Sequence, residues 1–147
     1  MQPEDIIPSL SAGGKDGILS ELADKVVERH PSLNREELLR VLQERERLGS
    51  TGIGEGIAIP HGKLRSAGEL LLVFGRSQKG VDFSSLDGRP AQLFFLLVAP
   101  DEAAGVHLKM LARISRLLKD PSVRRRLLEV PDAAAIYSII REQDNLY

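Results

Sequence analysis

The feature that most constrains the fold is the apolar run Leu93 to Val98, which reads Leu-Phe-Phe-Leu-Leu-Val. A membrane-spanning helix needs about 20 apolar residues, so this run is far too short to cross a bilayer. Successive side chains of a strand point to opposite faces of a sheet, and here both faces would be apolar. This pattern is typical of a central strand that is covered on both sides. We therefore expect a buried strand over Ala91–Ala99.

Helical periodicity precedes this strand. Residues Ile18–Arg29 carry apolar side chains at helical spacing and end just before a proline. Asn34, with Glu37 three residues later, is typical of a capping pair at the start of a second helix. We expect that helix to run to about Leu48, where Gly49 ends it.

Helical signals also follow the central strand. A third helix is expected from about Ala103 to Lys119, and Asp120 with Pro121 supplies a cap and a first-turn proline for a short fourth helix. Asp132 begins a last helix that reaches about Arg141. Two further strands are expected near Ile53–Ile59 and Glu69–Ser77.

Helices before, between and after the strands indicate an α/β fold, with one sheet packed by helices on both faces as a three-layer sandwich. The 147 residues suit a single domain over 1–147.

Composition excludes several classes of function. The formal net charge of −1 argues against a general attraction to nucleic acid or to an anionic membrane. The absence of cysteine excludes disulfides and thiolate metal sites. The N-terminus lacks the basic and apolar regions of a signal peptide, so we expect a cytoplasmic protein.

The segment from Gly49 to Leu64 carries the strongest functional signal. Its glycines at 49, 52, 54 and 56 match neither a P-loop nor a dinucleotide-binding loop, so nucleotide binding is not expected. Pro60 fixes the direction in which the chain reaches His61, and Gly62 leaves space for a second molecule to approach. A histidine presented in this way suits a nucleophile or a proton carrier.

Arg45 is the second candidate. It shares a helical face with the apolar residues Leu38, Val41, Leu42 and Leu48, whereas Arg47 points the other way. A guanidinium on a buried face requires an anion or a carboxylate. The alternative is that Arg45 lies at a frayed helix end and pairs with Glu46 or with solvent.

His107 is the third candidate. It extends the inward stripe of the third helix, which consists of Met110, Leu111, Ile114, Leu117 and Leu118. Taken alone, a histidine in that position is more often a hydrogen-bonded packing residue than a catalyst. Its place near a helix start offers backbone amides that favour an anion.

The motif around Ala58-Ile59-Pro60-His61-Gly62 resembles the phosphorylation site of enzyme IIA domains of the fructose/mannitol class, which belong to the bacterial phosphoenolpyruvate-dependent phosphotransferase system. The segments from Ser50 to Gly54 and from Val81 to Phe83 are most similar to the nitrogen-regulatory branch of that class. The resemblance covers roughly the whole chain and implies a mixed sheet.

The resemblance also implies roles for the candidates. His61 would accept a phosphoryl group at Nε2, Arg45 would stabilise its charge, and His107 would hydrogen-bond or orient it. The donor would be the phosphocarrier HPr or its nitrogen-related paralogue, and no cofactor or metal is required. The protein phosphorylated on His61 would either control regulatory protein targets or pass the phosphoryl group to a separate IIB domain of a fructose- or mannitol-type transporter. A metal site formed by His61 and His107 is a third alternative.

The remaining charged residues are interpreted as surface or turn features. Glu55, Lys63 and the run Arg124–Arg126 are expected on solvated faces, and His30 ends the first helix without a chemical role. Asp82 and Asp87 are interpreted as turn residues and not as an acid/base pair.

Overall fold

A computed structural model describes residues 1–101 and 104–144. No helix in these ranges is long and apolar enough to span a membrane. After a 3₁₀ turn at Pro3–Asp5, the elements in chain order are β1 (Ile6–Ile7), α1 (Lys15–Arg29), α2 (Arg35–Leu48), β2 (Gly52–Gly54), β3 (Ile57–Ala58), β4 (His61–Lys63), β5 (Leu71–Val81), β6 (Ala91–Ala99), α3 (Ala104–Lys119), α4 (Pro121–Glu129) and α5 (Ala133–Asp144).

The strands form one mixed sheet in the order β1-β5-β6-β3-β2, and β4 also pairs with β6. Strand β6 is central, as its apolar run predicts: it is antiparallel to β5 and parallel to β3 and β4. Ile57 pairs with Leu93 and His61 pairs with Leu97, at the same sequence offset. Strands β3 and β4 are therefore one line of chain that is interrupted at Ile59 and Pro60.

Each face of the sheet has its own apolar core. Phe94, Leu96 and Val98 of β6 pack in the cluster that contains buried residues of α1 and α2. Leu93 and Phe95 pack in the cluster that contains buried residues of α3, α4 and α5. The three-layer α/β sandwich expected from the sequence is confirmed.

The predicted helix boundaries hold to within a few residues, because local caps set them. The side chain of Asn34 accepts a hydrogen bond from the Glu37 backbone N–H at 2.9 Å, and Gly49 caps the other end of α2. The Asp120 side chain likewise accepts from the Ser122 N–H. Helix α1 begins earlier than predicted and α5 ends later. Ala103, the predicted start of α3, lies outside the described residues.

The prediction of one strand over Ile53–Ile59 is wrong. Glu55 and Gly56 both have positive φ, 59° and 77°, so the chain reverses there and Gly54 pairs with Ile57 in a β2–β3 hairpin. Two consecutive positive φ angles are the signature of a tight hairpin turn. The short strands β1 and β4 were not predicted, and β5 starts and ends later than the expected Glu69–Ser77.

Candidate active site

The three candidate residues meet beside the central strand. His61 begins β4 and pairs with Leu97 of β6. Arg45 lies in the last turn of α2, on one face of the sheet, and His107 lies in α3, on the other face. His61 contacts both, because Arg45 hydrogen-bonds its ring and the rings of His61 and His107 are 5.1 Å apart.

Two hydrogen bonds define the tautomer of His61. Its Nδ1 lies 2.8 Å from the Ile59 carbonyl oxygen, and its Nε2 lies 3.3 Å from Nε of Arg45. A carbonyl can only accept a hydrogen bond and a guanidinium can only donate one. Nδ1 must therefore carry the proton, and Nε2 presents its lone pair.

The surroundings of His61 favour the neutral ring. Burial is the main cause that lowers its pKa, and the positive charge of Arg45 lowers the pKa further. The hydrogen bond to Ile59 and the negative charge of Glu46 act in the opposite direction but do not reverse the shift. A neutral imidazole with an unprotonated Nε2 is a competent nucleophile.

Arg45 points towards His61, as the helical period predicts, but it is half-buried and does not enter the core. Its Nη1 donates to the Gly49 carbonyl at 2.8 Å. The alternative pairing with Glu46 does not occur, because Glu46 pairs with Lys15. Among the residues that the structure describes, Nη2 of Arg45 has no hydrogen-bond partner, so it is available to an anion.

His107 is buried, with 7% of its surface exposed. Its Nε2 has no hydrogen-bond partner among the described residues, which is unusual for a buried polar atom. The ring stands edge-on to that of His61, at an interplanar angle of 81°. Burial lowers the pKa of His107, and the charges of His61 and Lys63 add to this shift. The neutral ring therefore leaves one nitrogen unused beside His61.

Gly62 has a packing role that the sequence did not predict. A Cβ at this position would lie 2.7 Å from Cγ1 of Val41, so the space behind His61 is filled by α2. The absent side chain lets α2 pack closely against β4, which places Arg45 within reach of His61. Gly62 also lines the open cleft beside His61, so the expectation that it leaves room for a second molecule stays a prediction.

The three residues open onto a cleft of about 580 Å³, to which Lys63 and Leu48 also contribute. Leu48 was expected on the buried stripe of α2, but 85% of it is exposed. Val106 and Leu108, on either side of His107, are also exposed, by 52% and 68%. Exposed large apolar residues near such a cleft are typical of a protein-binding surface.

Two buried residues beside the site, Glu46 and Thr51, were missed. The Glu46 side chain is 5% exposed and forms an ion pair with Lys15 at 2.9 Å. It also accepts hydrogen bonds from the backbone N–H and the hydroxyl of Thr51. The partners come from α1, α2 and the loop after α2, so helical periodicity alone could not identify this cluster.

Asp82 and Asp87 are turn residues, as predicted. Asp82 accepts from the Ser84 N–H, and Asp87 accepts from the N–H groups of Glu55 and Arg89. Those backbone bonds hold the pKa of Asp87 below its usual value. His30 caps the end of α1.

The basic run on α4 is not uniformly solvated, which corrects the expectation. Arg125 and Arg126 are exposed, but Arg124 is half-buried. Nη1 of Arg124 donates to the carbonyls of Leu118 and Lys119, at the end of α3. Glu55 is exposed, as expected, and lies near Arg124 at 3.5 Å.

No group of three or more His, Cys, Asp or Glu side chains arranged to hold a metal ion occurs in residues 1–101 and 104–144.

Comparison with known protein families decides the class. Residues 1–143 match the family model described as phosphoenolpyruvate-dependent sugar phosphotransferase system, EIIA 2. The chain belongs to this family. The resemblance noted in the sequence is confirmed, and the protein is an enzyme IIA component of a phosphotransferase system.

Two relatives differ in their described roles. A nitrogen regulatory protein of Bradyrhizobium diazoefficiens is 45% identical over 138 residues, which cover 94% of this chain and 90% of the relative. The fructose-specific EIIABC component of Bacillus subtilis is 42% identical over 131 residues, which cover 88% of this chain but only 20% of that longer protein.

A solved structure agrees with the fold. The nitrogen regulatory protein IIA-Ntr of Neisseria meningitidis superposes with a TM-score of 0.89 at 32% identity, over 95% of this chain and 94% of that chain. The sheet order and helical layers described above are therefore those of an enzyme IIA.

Proposed function

We propose that this protein is a phosphohistidine carrier, with Nε2 of His61 as the phosphoryl acceptor. The observation that supports this most directly is the pair of hydrogen bonds on His61. Nδ1–H is held by the Ile59 carbonyl at 2.8 Å, and Nε2 faces Arg45 at the open cleft. The acceptor atom is thus unprotonated before the donor arrives.

The proposed step is an in-line transfer between two histidines. The lone pair of His61 Nε2 forms a bond to phosphorus while the bond from phosphorus to the donor's imidazole nitrogen breaks. The electron pair of the broken bond stays on the donor's ring. No proton has to leave His61, because Nδ1 already carries one and keeps its bond to Ile59. The proton on Nδ1 gives the phosphorylated ring a positive charge, which the Ile59 carbonyl stabilises.

Arg45 and His107 would stabilise the transferred group. Negative charge is spread over three phosphoryl oxygens in the transition state, and aligned donors lower its energy. Arg45 would release Nε2 and offer its Nε and free Nη2 to these oxygens. The unused Nε2 of buried His107, if protonated, would donate to another oxygen.

The exposed residues Leu48, Val106 and Leu108 would form the docking surface for a partner protein. We propose that the phosphodonor is HPr or its nitrogen-related paralogue, which would place the protein in the cytoplasm. Residues 1–147 would act as a single carrier domain.

For the acceptor, we favour a regulatory role over sugar transport. The support is the 45% identity to a nitrogen regulatory protein over 90% of that relative. The alternative is transfer to a separate IIB domain of a fructose- or mannitol-type transporter, and the 42% identity to a fructose-specific EIIABC component supports that alternative.

The decisive test is incubation with phosphoenolpyruvate, enzyme I and HPr, or with the nitrogen-related pair, followed by intact mass measurement. One acid-labile, base-stable phosphoryl group is expected on His61, and His61→Ala should not be labelled. Equal labelling of His61→Ala would overturn the proposal. Adding a fructose-type IIB protein to the labelled carrier then separates the two roles, since rapid loss of label would favour transport.

A further inference from the structure

Glu46 is a buried carboxylate that the proposed transfer step does not use. It lies on α2 directly after Arg45, yet its side chain turns away from the cleft. Its carboxylate receives the ammonium of Lys15 at 2.9 Å, the Thr51 N–H at 3.2 Å and the Thr51 hydroxyl. Burying a charge is unfavourable without such partners, so this cluster holds Thr51 in one place.

From Thr51 a short chain of hydrogen bonds leads to the reactive ring. The Thr51 carbonyl accepts the Ile59 N–H at 3.0 Å. The Ile59 carbonyl then accepts Nδ1–H of His61 at 2.8 Å. Two residues, Thr51 and Ile59, therefore connect the Glu46 carboxylate to Nδ1 of His61.

A separate backbone path, which does not involve the Glu46 carboxylate, reaches Arg45. The Glu46 carbonyl accepts the Gly49 N–H at 3.2 Å, and the Gly49 carbonyl accepts Nη1 of Arg45. Glycines at 49 and 52 flank the loop, so its backbone has few intrinsic restraints. The Ile59 carbonyl, which orients His61, lies between strands β3 and β4, and both pair with β6. Ser50 is tied to the Phe83 carbonyl, and the Glu46 carboxylate adds the contacts that fix Thr51.

We propose that Glu46, acting through Thr51, is the positioning residue that keeps His61 in the tautomer with its proton on Nδ1 and its lone pair on Nε2. Its effect on phosphoryl transfer rests on the proposed function, whereas its effect on the tautomer does not. The negative charge of Glu46 also raises the pKa of His61, in opposition to burial and Arg45.

The test uses two variants of Thr51 and one of Glu46. Thr51→Val keeps the shape and the backbone N–H but removes the hydroxyl, whereas Thr51→Ser keeps the hydroxyl. Glu46→Ala removes the carboxylate and with it all its contacts to Lys15 and Thr51. The matched control is Glu36→Gln, which removes an exposed carboxylate from the same helix.

The primary readout is the tautomer of His61 in the unphosphorylated protein, measured by ¹⁵N NMR with labelled histidine near pH 8. The wild type, Thr51→Ser and Glu36→Gln should show the Nδ1–H form. Thr51→Val and Glu46→Ala should show a mixture with the Nε2–H form, and transfer to His61 should slow by up to roughly a hundredfold, the scale of a 1 Å misplacement of reacting groups.

The outcomes separate this proposal from the proposed function. A folded Thr51→Val or Glu46→Ala that keeps the wild-type tautomer would overturn the positioning role. A tautomer shift as expected, combined with a wild-type protein that takes no phosphoryl group on His61, would retain the positioning role and refute the carrier function. If Glu46→Ala does not fold, Thr51→Val against Thr51→Ser decides the matter.

Discussion

Arg76 and Arg45 are removed from water to different extents, and they end in opposite situations. Arg76, on β5, is 3% exposed and donates to the backbone carbonyls of Pro8, Leu127 and Val130. Arg45 is half-buried, and its guanidinium retains a nitrogen without a partner among the described residues. Both guanidiniums donate through Nε and Nη1, but Arg76 is enclosed by carbonyls of the protein, whereas Arg45 opens onto the cleft and keeps capacity for a ligand.

The difference shows how one residue type can be enclosed by the protein in one place and left open to a ligand in another. Leu127 and Val130 lie at the end of α4, where carbonyls lack helical partners and carry partial negative charge. Arg76 satisfies them and ties α4 to β5 and to the N-terminal segment. Arg45 instead has a histidine and a single carbonyl as partners, so an incoming phosphoryl group would improve its surroundings.

The largest expected effect is loss of stability on Arg76→Ala. The change leaves three carbonyls without their donor, at a cost of about 1–3 kcal/mol for each that stays buried. We expect the free energy of unfolding to fall by about 3–5 kcal/mol in urea denaturation. Arg45→Ala should change that free energy by less than about 1 kcal/mol. Similar losses for the two variants would contradict the division into a structural and a ligand-facing arginine.

The second prediction concerns the rate of phosphoryl transfer. Arg45→Lys keeps the charge but loses the planar fork that can contact two oxygens at once. Transfer from HPr to His61 should slow by the equivalent of about 1.5–3 kcal/mol, the scale of a hydrogen bond to a charged group. Rapid-quench measurement of phosphohistidine formation gives the rate.

The matched control is Arg47→Lys. Arg47 is exposed on the same last turn of α2. The Arg47→Lys variant should therefore accept the phosphoryl group at nearly the wild-type rate. An equal or larger loss at Arg47 would mean that Arg45 has no special part in the transfer.

The sequence predicted those parts of the molecule that depend on local signals. Asn34 and Asp120 mark helix starts because their side chains bond to the next turn of their own chain. The central strand was recognised from its two apolar faces. The proline and the glycine that flank His61 marked it as a candidate, and the helical period placed Arg45 on the side of α2 that faces it.

The parts that were missed depend on contacts between distant segments. Leu48 has the spacing of a core residue. It is exposed because it is the last residue of α2, and only the packed structure shows this. Glu46 and Arg76 look like ordinary charged residues, since their partners are remote in sequence. The hairpin at Glu55 and Gly56 was missed because alternating isoleucines on either side of a turn imitate one continuous strand.

The third prediction tests the contact that brings Arg45 to His61. A Cβ on Gly62 would lie 2.7 Å from Cγ1 of Val41, so Gly62→Ala forces α2 away from β4. Overpacking of this kind should lower the free energy of unfolding by about 1–2 kcal/mol and slow transfer to His61 as well. The control is Gly68→Ala, because no atom lies within 4 Å of a Cβ at that position. If Gly62→Ala transfers at the wild-type rate, the close packing of α2 is not what positions Arg45.

The smallest effect is a pH dependence of stability from the two histidines of the candidate site. The pKa of each is lowered in the folded protein, chiefly by burial, whereas a histidine in the unfolded chain titrates near about 6.5. Below that pH the unfolded chain binds protons that the folded protein does not, so the free energy of unfolding must decrease on acidification. The free energy of unfolding should level off only below the folded-state pKa values.

Urea denaturation at several pH values from 8 to 5 measures the slope of this free energy against pH. The double variant His61→Gln, His107→Gln should show a smaller slope than the wild type. His30 is present in both proteins, so it does not contribute to the difference. An equal slope in the double variant would mean that the two rings take up protons as readily in the folded protein as in the unfolded chain, and would remove the neutral His61 on which the transfer step depends.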